Sequence, residues 1–451
     1  MKNIFYFLAA CVFVLAGCNK KTDLNFDKPV DERVASALSG YQTALTTAPG
    51  WKLFVYPKGA AATHGLQPVG GLSYYLQFST TGRVLMVSDF LTSIAATPKE
   101  SGYTLKALQR PSLVFDTYTY MHIPADPDPN ISFSPTGTGG DGWGTDFNFS
   151  FTEVAVKDTM YLEGNFNKST AVLVKATQAE MDAAFKNSRL QNIMNFSYGY
   201  AGTIPFLYFM ANASLKVGVG FDFNYGFVSF TYADGATVVN SKIPSSFTTY
   251  GIHLGQAVKT GDYTFQDLYW DDATSKYYIL SGTTKIFFIS SATPAVSLSL
   301  TNIIGGSQFT TIGVPPGAGL YGQGSLFTTK YNAAKAGMLA SAYGLTMDEM
   351  DFVFTASAKT MDVNVLAYQG AVGPFLLTYS YTYTVDANGL FKFTKIGQNG
   401  NAALVVSSMN NILSYIENDQ FILTAVSSSS SFLGTMTSNQ NPTFSFSGYL
   451  F

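Results

Sequence analysis

Residues 72–86 read Leu-Ser-Tyr-Tyr-Leu-Gln-Phe-Ser-Thr-Thr-Gly-Arg-Val-Leu-Met. Leu72, Tyr74, Leu76 and Phe78 recur at every second position, the period of a strand with one face turned to a core. Thr80-Thr81-Gly82 then turns the chain into Val84, Leu85 and Met86, as in a hairpin. Asp234-Gly235 and Asn388-Gly389 give the same signal between other apolar, β-branched runs. Turns this short join antiparallel strands.

Outward from that hairpin, period two predicts strands from Trp51 to about Lys175, again to about residue 300, from 350 to 395, and at the end of the chain. Helical spacing interrupts the strands three times. Val34, Leu38, Tyr41 and Leu45, with Ala37 beside them, predict a helix that Pro49-Gly50 stops. Thr177-Gln178-Ala179-Glu180 has the form of a capping box. Met181, Ala184 and Phe185, then Leu190, Ile193 and Met194, continue that helix, which is expected to end before Gly199. Val405, Met409, Ile412 and Ile416 mark a third. The Gly- and Pro-rich stretch from Gly305 to Gly324 reads as a long loop. No fixed-period repeat is present.

The fold expected is mainly β: antiparallel sheets, sandwich or barrel-like, in two domains with a few packing helices. Residues 1–17 read as a lipoprotein signal peptide, 18–30 as a tether, 31–195 as an N-terminal β-rich domain with flanking helices, and 196–451 as a C-terminal β-rich domain. The boundary is placed near residues 196–203.

The signal-peptide reading rests on Lys2, the apolar run from Ile4 to Leu15, and Leu15-Ala16-Gly17-Cys18, which resembles a lipobox. The apolar run is too short to span a bilayer. Cleavage before Cys18 would leave that cysteine to carry the lipid that holds the protein on the membrane. The two cysteines are Cys11 and Cys18, so a mature chain would keep no thiol for a disulfide, a metal or a nucleophile. Stability must then come from packing. Of the 451 residues 15% are aromatic and 12% charged, with 28 Tyr and 37 Phe against 3 Trp, a composition suited to pleated, half-buried surfaces. The formal net charge of −3 gives no reason to expect nucleic acid as a partner.

Trp51-Lys52 with Tyr56-Pro57, Gly70-Gly71-Leu72-Ser73-Tyr74-Tyr75, Gly82-Arg83-Val84 and Glu100-Ser101-Gly102-Tyr103 resemble the N-terminal half of a Bacteroidetes lipoprotein family catalogued as domain of unknown function 4302. Leu113-Val114-Phe115-Asp116-Thr117-Tyr118, followed by His122 and Ala125-Asp126-Pro127, is the most specific part. The likeness continues more weakly through Phe265 to Asp271 and the closing Phe446-Ser447-Gly448-Tyr449-Leu450. Asn148 stands where the pattern leads us to expect an acid. The resemblance implies an accessory of outer-membrane nutrient import, built from a plugged barrel and a lipoprotein lid, and carries over no catalytic residue.

Read by themselves, the residues support binding more than catalysis. Gly137, Gly139 and Gly142 match the spacing of a dinucleotide fingerprint, but strand residues rather than a helix follow. Asp126, Asp128 and Asn130 imitate the opening of a calcium loop. Ile131 and Gly137 then occupy the places of its glycine and its bidentate glutamate, which leaves a non-standard calcium site of Asp126, Asp128 and Asp141 as the metal expectation. His64, His122 and His253 are scattered without a zinc motif, and no GxSxG elbow occurs. Asp271 and Asp272, beside Tyr269 and Trp270, are the best local pair for a glycoside hydrolase, although neighbours on a strand face opposite ways.

Carbohydrate binding asks only for an exposed ring near carboxylates or amides. The candidates are Trp143 with Asp141, Asp146 nearby, and Trp270 with Asp271. The reading is an outer-membrane accessory lipoprotein, facing the periplasm or the outside, that binds a glycan or a peptide for import. A component that docks on a transporter or peptidase and binds no small ligand is the alternative, and glycoside hydrolysis the second.

Overall fold

Strand β1 (Gly50–Tyr56) lies between β2 (Leu72–Phe78) and β8 (Thr170–Ala176), antiparallel to both, with Leu53 opposite Tyr74 on one side and Leu173 on the other. Between them run β3 (Arg83–Ser88), β4 (Lys99–Ala107), β5 (Pro111–Phe115), β6 (Asn148–Phe151) and β7 (Thr159–Gly164), each paired with the next, so that eight strands close into a barrel. In this computed structural model the described residues are 29–58, 69–133, 142–153, 156–203, 206–234, 237–294, 296–301, 304–305, 309–317, 320–427 and 432–451. Residues 1–28, with the signal-peptide segment and Cys18, lie outside them, as do His64, Gly235 and Asp141.

The period-two residues of the opening hairpin point into this barrel. Leu72, Tyr74, Leu76 and Phe78 join Leu53, Val84, Met86, Leu113, Phe149, Leu162 and Leu173 in one buried cluster. An interior filled by apolar side chains is the reverse of a membrane barrel, whose lumen is polar. Helix α1 (Val30–Thr47) covers the mouth at which β1 begins. Its Tyr41 stacks on Phe151 at the end of β6, with ring centroids 3.8 Å apart, and Gln42 donates to the Tyr103 hydroxyl, which donates to Ser79 O in the β2–β3 turn. The connections after β1, β3, β5 and β7 therefore lie at the opposite mouth.

Helices α2 (Gln178–Phe185) and α3 (Arg189–Thr203) follow. Thr177 and Glu180 form the expected capping box, each side chain accepting from the other's backbone N–H. The second helix does not end before Gly199. Tyr200 packs edge-on against Trp270 and Tyr277, 5.5 and 5.8 Å away, and these contacts carry the last turn past two glycines that disfavour it. The boundary region 196–203 lies within this helix.

The second sheet runs in sequence order through β9 (Phe206–Met210), β10 (Lys216–Asp222), β11 (Phe227–Asp234), β12 (Thr237–Thr248), β13 (Gly251–Thr260), β14 (Tyr263–Asp271), β15 (Lys276–Ser281) and β16 (Thr284–Phe287). Only Phe288 separates β16 from β17 (Ile289–Ser291), and β17 pairs back with β9. The two act as one bent strand, so this sheet also closes.

The third holds β18 (Ser297–Ser299), β19 (Thr311–Val314), β20 (Leu345–Thr355), β21 (Thr360–Gln369), β22 (Val372–Val385), β23 (Phe391–Gln398), β24 (Gln420–Ser427), β25 (Phe432–Ser438) and β26 (Ser445–Leu450). β24 pairs with β23 and β25, and β26 with β19, so the pairings from β19 to β26 complete a ring. It is thin in two places, between β23 and β24 and between β19 and β26, where two residue pairs meet. Helices α4 (Ser325–Ala340) and α5 (Gly400–Asn418) share its core through Phe327, Tyr331, Met409 and Ile412.

The stretch from Gly305 to Gly324 is thus not simply a loop. It supplies β19, whose four residues are all buried between β20 and β26. Among the described residues, no helix is long and apolar enough to cross a membrane.

Candidate functional site

The outer faces of β1 and β2 are not solvent faces. Phe54 stacks on His253 of β13 at 4.1 Å, and the Tyr75 hydroxyl accepts from Thr249 N at 2.9 Å and lies 3.0 Å from Thr249 Oγ1. Ser73 Oγ donates to Phe247 O at 2.6 Å. Glycines let the backbones touch: Gly70 N donates to Tyr225 O and Gly71 N to Ser245 O, at 2.6 and 3.1 Å. Tyr75→Phe removes one buried partner from this seam and is expected to cost about 1–2 kcal/mol in chemical denaturation. An unchanged midpoint would mean that Thr249 is satisfied by other means.

Asp89, just past β3, sits in the middle of the seam and is 8% exposed. Its Oδ1 accepts from Ser73 N and its Oδ2 from Phe247 N, both at 2.7 Å, so one carboxyl holds the backbones of two barrels. Burial pushes Asp89 up to about 7, against the pull of these amide donors. Desolvation outweighs the hydrogen bonds because no counter-ion helps: among the described residues Asp89 forms no ion pair.

Beside Asp89 a cleft of about 40 Å³ opens between the barrels. Leu72, Phe90 and Trp143 line it from barrel 1, and Tyr198, Phe223, Ser246, Phe247 and Ile252 from the other side. The rings are mutually packed: Phe90 against Trp143 at 5.2 Å, Phe223 against Tyr198 at 5.2 Å and Phe247 at 5.1 Å. The Ser246 hydroxyl is buried with no hydrogen-bond partner among the described residues. Outside the cleft, but still in the β5–β6 connection, His122 lies between Phe147 and Tyr118, with centroids 4.5 and 5.5 Å away. Tyr118 is 52% exposed. His122 Nδ1 accepts from Thr119 N, which leaves Nε2 to donate to Phe115 O, and burial lowers its pKa, so the ring is neutral.

Of the candidate site residues named from sequence that fall among the described residues, Trp143 alone lines the cleft. Its indole N–H donates to Ser132 O at 2.9 Å and its backbone N–H to Pro124 O at 2.7 Å, so it also anchors its loop. Trp270 is 9% exposed and enclosed by Phe196, Tyr200 and Tyr277. A ring held in this way offers no face to a sugar. Asp271 binds Lys285 at 2.6 Å and closes a turn on Thr274, and the lysine holds its carboxyl below the usual range. Asp272 takes a bidentate pair with Arg189 at 2.9 Å. The two acids therefore serve different partners and do not face each other across a cleft.

Asp126 accepts from Asp128 N and the Tyr118 hydroxyl, and Asp128 accepts from Asn130 N. These carboxylates shape a turn, and no group of three His, Cys, Asp or Glu suited to a metal occurs among the described residues. Asp146 accepts three backbone N–H groups, from Phe166, Asn167 and Ser169, and so fixes the β7–β8 connection.

A family model described as a domain of unknown function, DUF4302, matches residues 22–272. The chain belongs to the DUF4302 family. The matched residues take in barrel 1, α2, α3 and β9 to β14, and so every residue that lines the cleft. The third ring and its closing Phe446 to Leu450 lie outside the DUF4302 match. No curated protein matches the chain.

Asp89, Tyr198, Phe223 and Ser246 were not legible as site residues. Asp89 meets Phe247 only across 158 positions of chain, Tyr198, Phe223 and Ser246 line the cleft from the other side of the seam, and a lone acid after a strand reads as a turn. The Gly70 to Tyr75 motif of the DUF4302 pattern was the available signal, since it supplies the glycines, Ser73 and Tyr75 of the seam.

Proposed function

We propose that the protein is a lipid-anchored accessory of the outer membrane that captures a nutrient ligand, a glycan or a peptide, at the mouth of the cleft between barrels 1 and 2 and serves an import system. The observation that carries this reading is the cleft itself, in which rings from both barrels surround a carboxyl. Apolar walls with few, well-placed polar groups are the usual chemistry of a ligand site, and a perturbed acid in a cleft is a pointer to function.

Its position supports the same reading. The cleft belongs to the mouth of barrel 1 opposite α1, and α1 is the element that leads back toward Cys18. A tether from Cys18 to Pro29 reaches at most roughly 40 Å, enough to hold the cleft away from a membrane. The exposed Tyr118 ring, stacked on half-buried His122, gives a longer ligand an aromatic contact outside the cleft. Such stacking needs no catalytic group.

The test is a glycan and peptide array with the chain from Asn19 onward, repeated with Trp143→Ala. A hit that the substitution abolishes supports capture at the cleft. A clean negative on folded protein removes the ligand-binding reading in favour of a protein partner. The anchor is tested separately: Cys18→Ala is expected to move the protein from the membrane to the soluble fraction, and a variant still in the membrane fraction refutes lipidation there.

A further inference from the structure

We infer that the cleft recognises a primary ammonium group, such as the free N-terminus of a short peptide, held by the Asp89 carboxylate and the Ser246 hydroxyl within a wall of aromatic rings. The inference rests on the reading of the cleft as the binding site and narrows its ligand to an amine.

Size is the first argument. A volume of about 40 Å³ has room for roughly three water-sized groups, enough for an ammonium with one or two carbons but not for a sugar ring. Charge is the second. Among the described residues Asp89 is the sole carboxylate in the lining, and no lysine, arginine or histidine accompanies it. Each of its oxygens accepts one backbone N–H, and an ionised carboxylate oxygen has a further lone pair to give. Burial without a cation pushes this acid up to about 7, which is the state that an entering ammonium would relieve.

The remaining groups suit the same guest. Ser246 supplies an acceptor that nothing among the described residues uses. Phe90, Trp143, Tyr198, Phe223 and Phe247 present π-systems on both sides, and such rings attract a desolvated ammonium. A neutral polyol would satisfy neither the carboxylate nor the rings as fully. A carboxylate ligand would be repelled by Asp89.

Isothermal titration calorimetry of the full chain with trialanine and with N-acetyl-trialanine tests this. The expected result is binding of the free amine, at least tenfold weaker binding of the acetylated peptide, and a loss of at least tenfold in Asp89→Asn. Because that variant can fail to fold, Ser246→Ala is measured beside it and is expected to weaken the amine severalfold. Equal binding of the two peptides overturns the amine inference and leaves the cleft as a site. Failure of both peptides while a glycan binds in a Trp143-dependent way does the same. Failure of peptides and glycans alike removes the inference together with the reading beneath it.

Discussion

Asp89→Ala is expected to cost about 3 kcal/mol of unfolding free energy, because it leaves the buried N–H groups of Ser73 and Phe247 without their acceptor. Asp89→Asn is expected to lose less. Its amide oxygen replaces one acceptor, while its NH2 meets the other N–H. Urea denaturation would show the loss as a lower midpoint, or as two transitions if the barrels come apart. A midpoint within error of the parent would mean that the two amides find other partners.

The same acid gives stability a pH dependence of stated sign. Its folded pKa, about 7, lies above the ordinary carboxyl value of 3.8, so the folded state holds the proton more tightly than the unfolded chain. The contribution is fully present below about pH 4 and is lost as pH rises through about 7. Thermal melts of the parent between pH 5 and 8 should show this fall, and Asp89→Asn should lack it. A parent and variant that follow parallel pH profiles would exclude Asp89 as the cause.

Gly70→Ala is the second large effect. A Cβ at Gly70 would stand 1.7 Å from Gly226 O, a backbone atom of the opposite barrel that cannot step aside alone. The seam must open, at a cost of about 3 kcal/mol, and the binding proposed for the adjacent cleft should fall with it. Gly40→Ala is the control of opposite sign. Gly40 lies inside α1 and its Cβ would meet only Val156 Cγ2 at an ordinary 3.6 Å, so alanine should stabilise by about 0.5–1 kcal/mol. If Gly70→Ala melts like the parent, the close approach of the two backbones is wrong.

Sequence periodicity was enough where an element answers to one face. The alternation of Leu72 to Phe78, the Thr177 capping box and the Val405 to Ile416 stripe all reappear as structure because local pattern and packing agree. Pattern failed where distant contacts decide. α4 was not predicted although Phe327, Tyr331, Ala334 and Met338 share a buried face, for Gly324 offers no side-chain cap and threonines dilute the stripe. β19 was hidden among glycines because four residues are too short for a period. Trp143 was legible as a site candidate through its unusual glycine-rich surroundings. Asp89 was not, since its burial is created by Phe247, 158 positions later.

The three rings also differ in when a growing chain can complete them. β1 and β8 bracket residues 50–176, and every strand between them pairs with its sequence neighbour, so the first ring can shut before β9 exists. The second follows in the same manner, up to the pairing of Ser291 with Phe206. Each ring leaves its first strand waiting for its last, and the third waits longest, from β19 until β26 arrives to pair Gly313 with Tyr449. During that interval its half-built wall shows Phe352, Phe354, Tyr379 and Tyr381 to whatever is nearby, and non-local pairing of this kind is slow. Misfolding and the need for a chaperone should therefore centre on the last ring to form, while the cleft beside Asp89, lined by the first two rings and by Tyr198 of α3, is already in place.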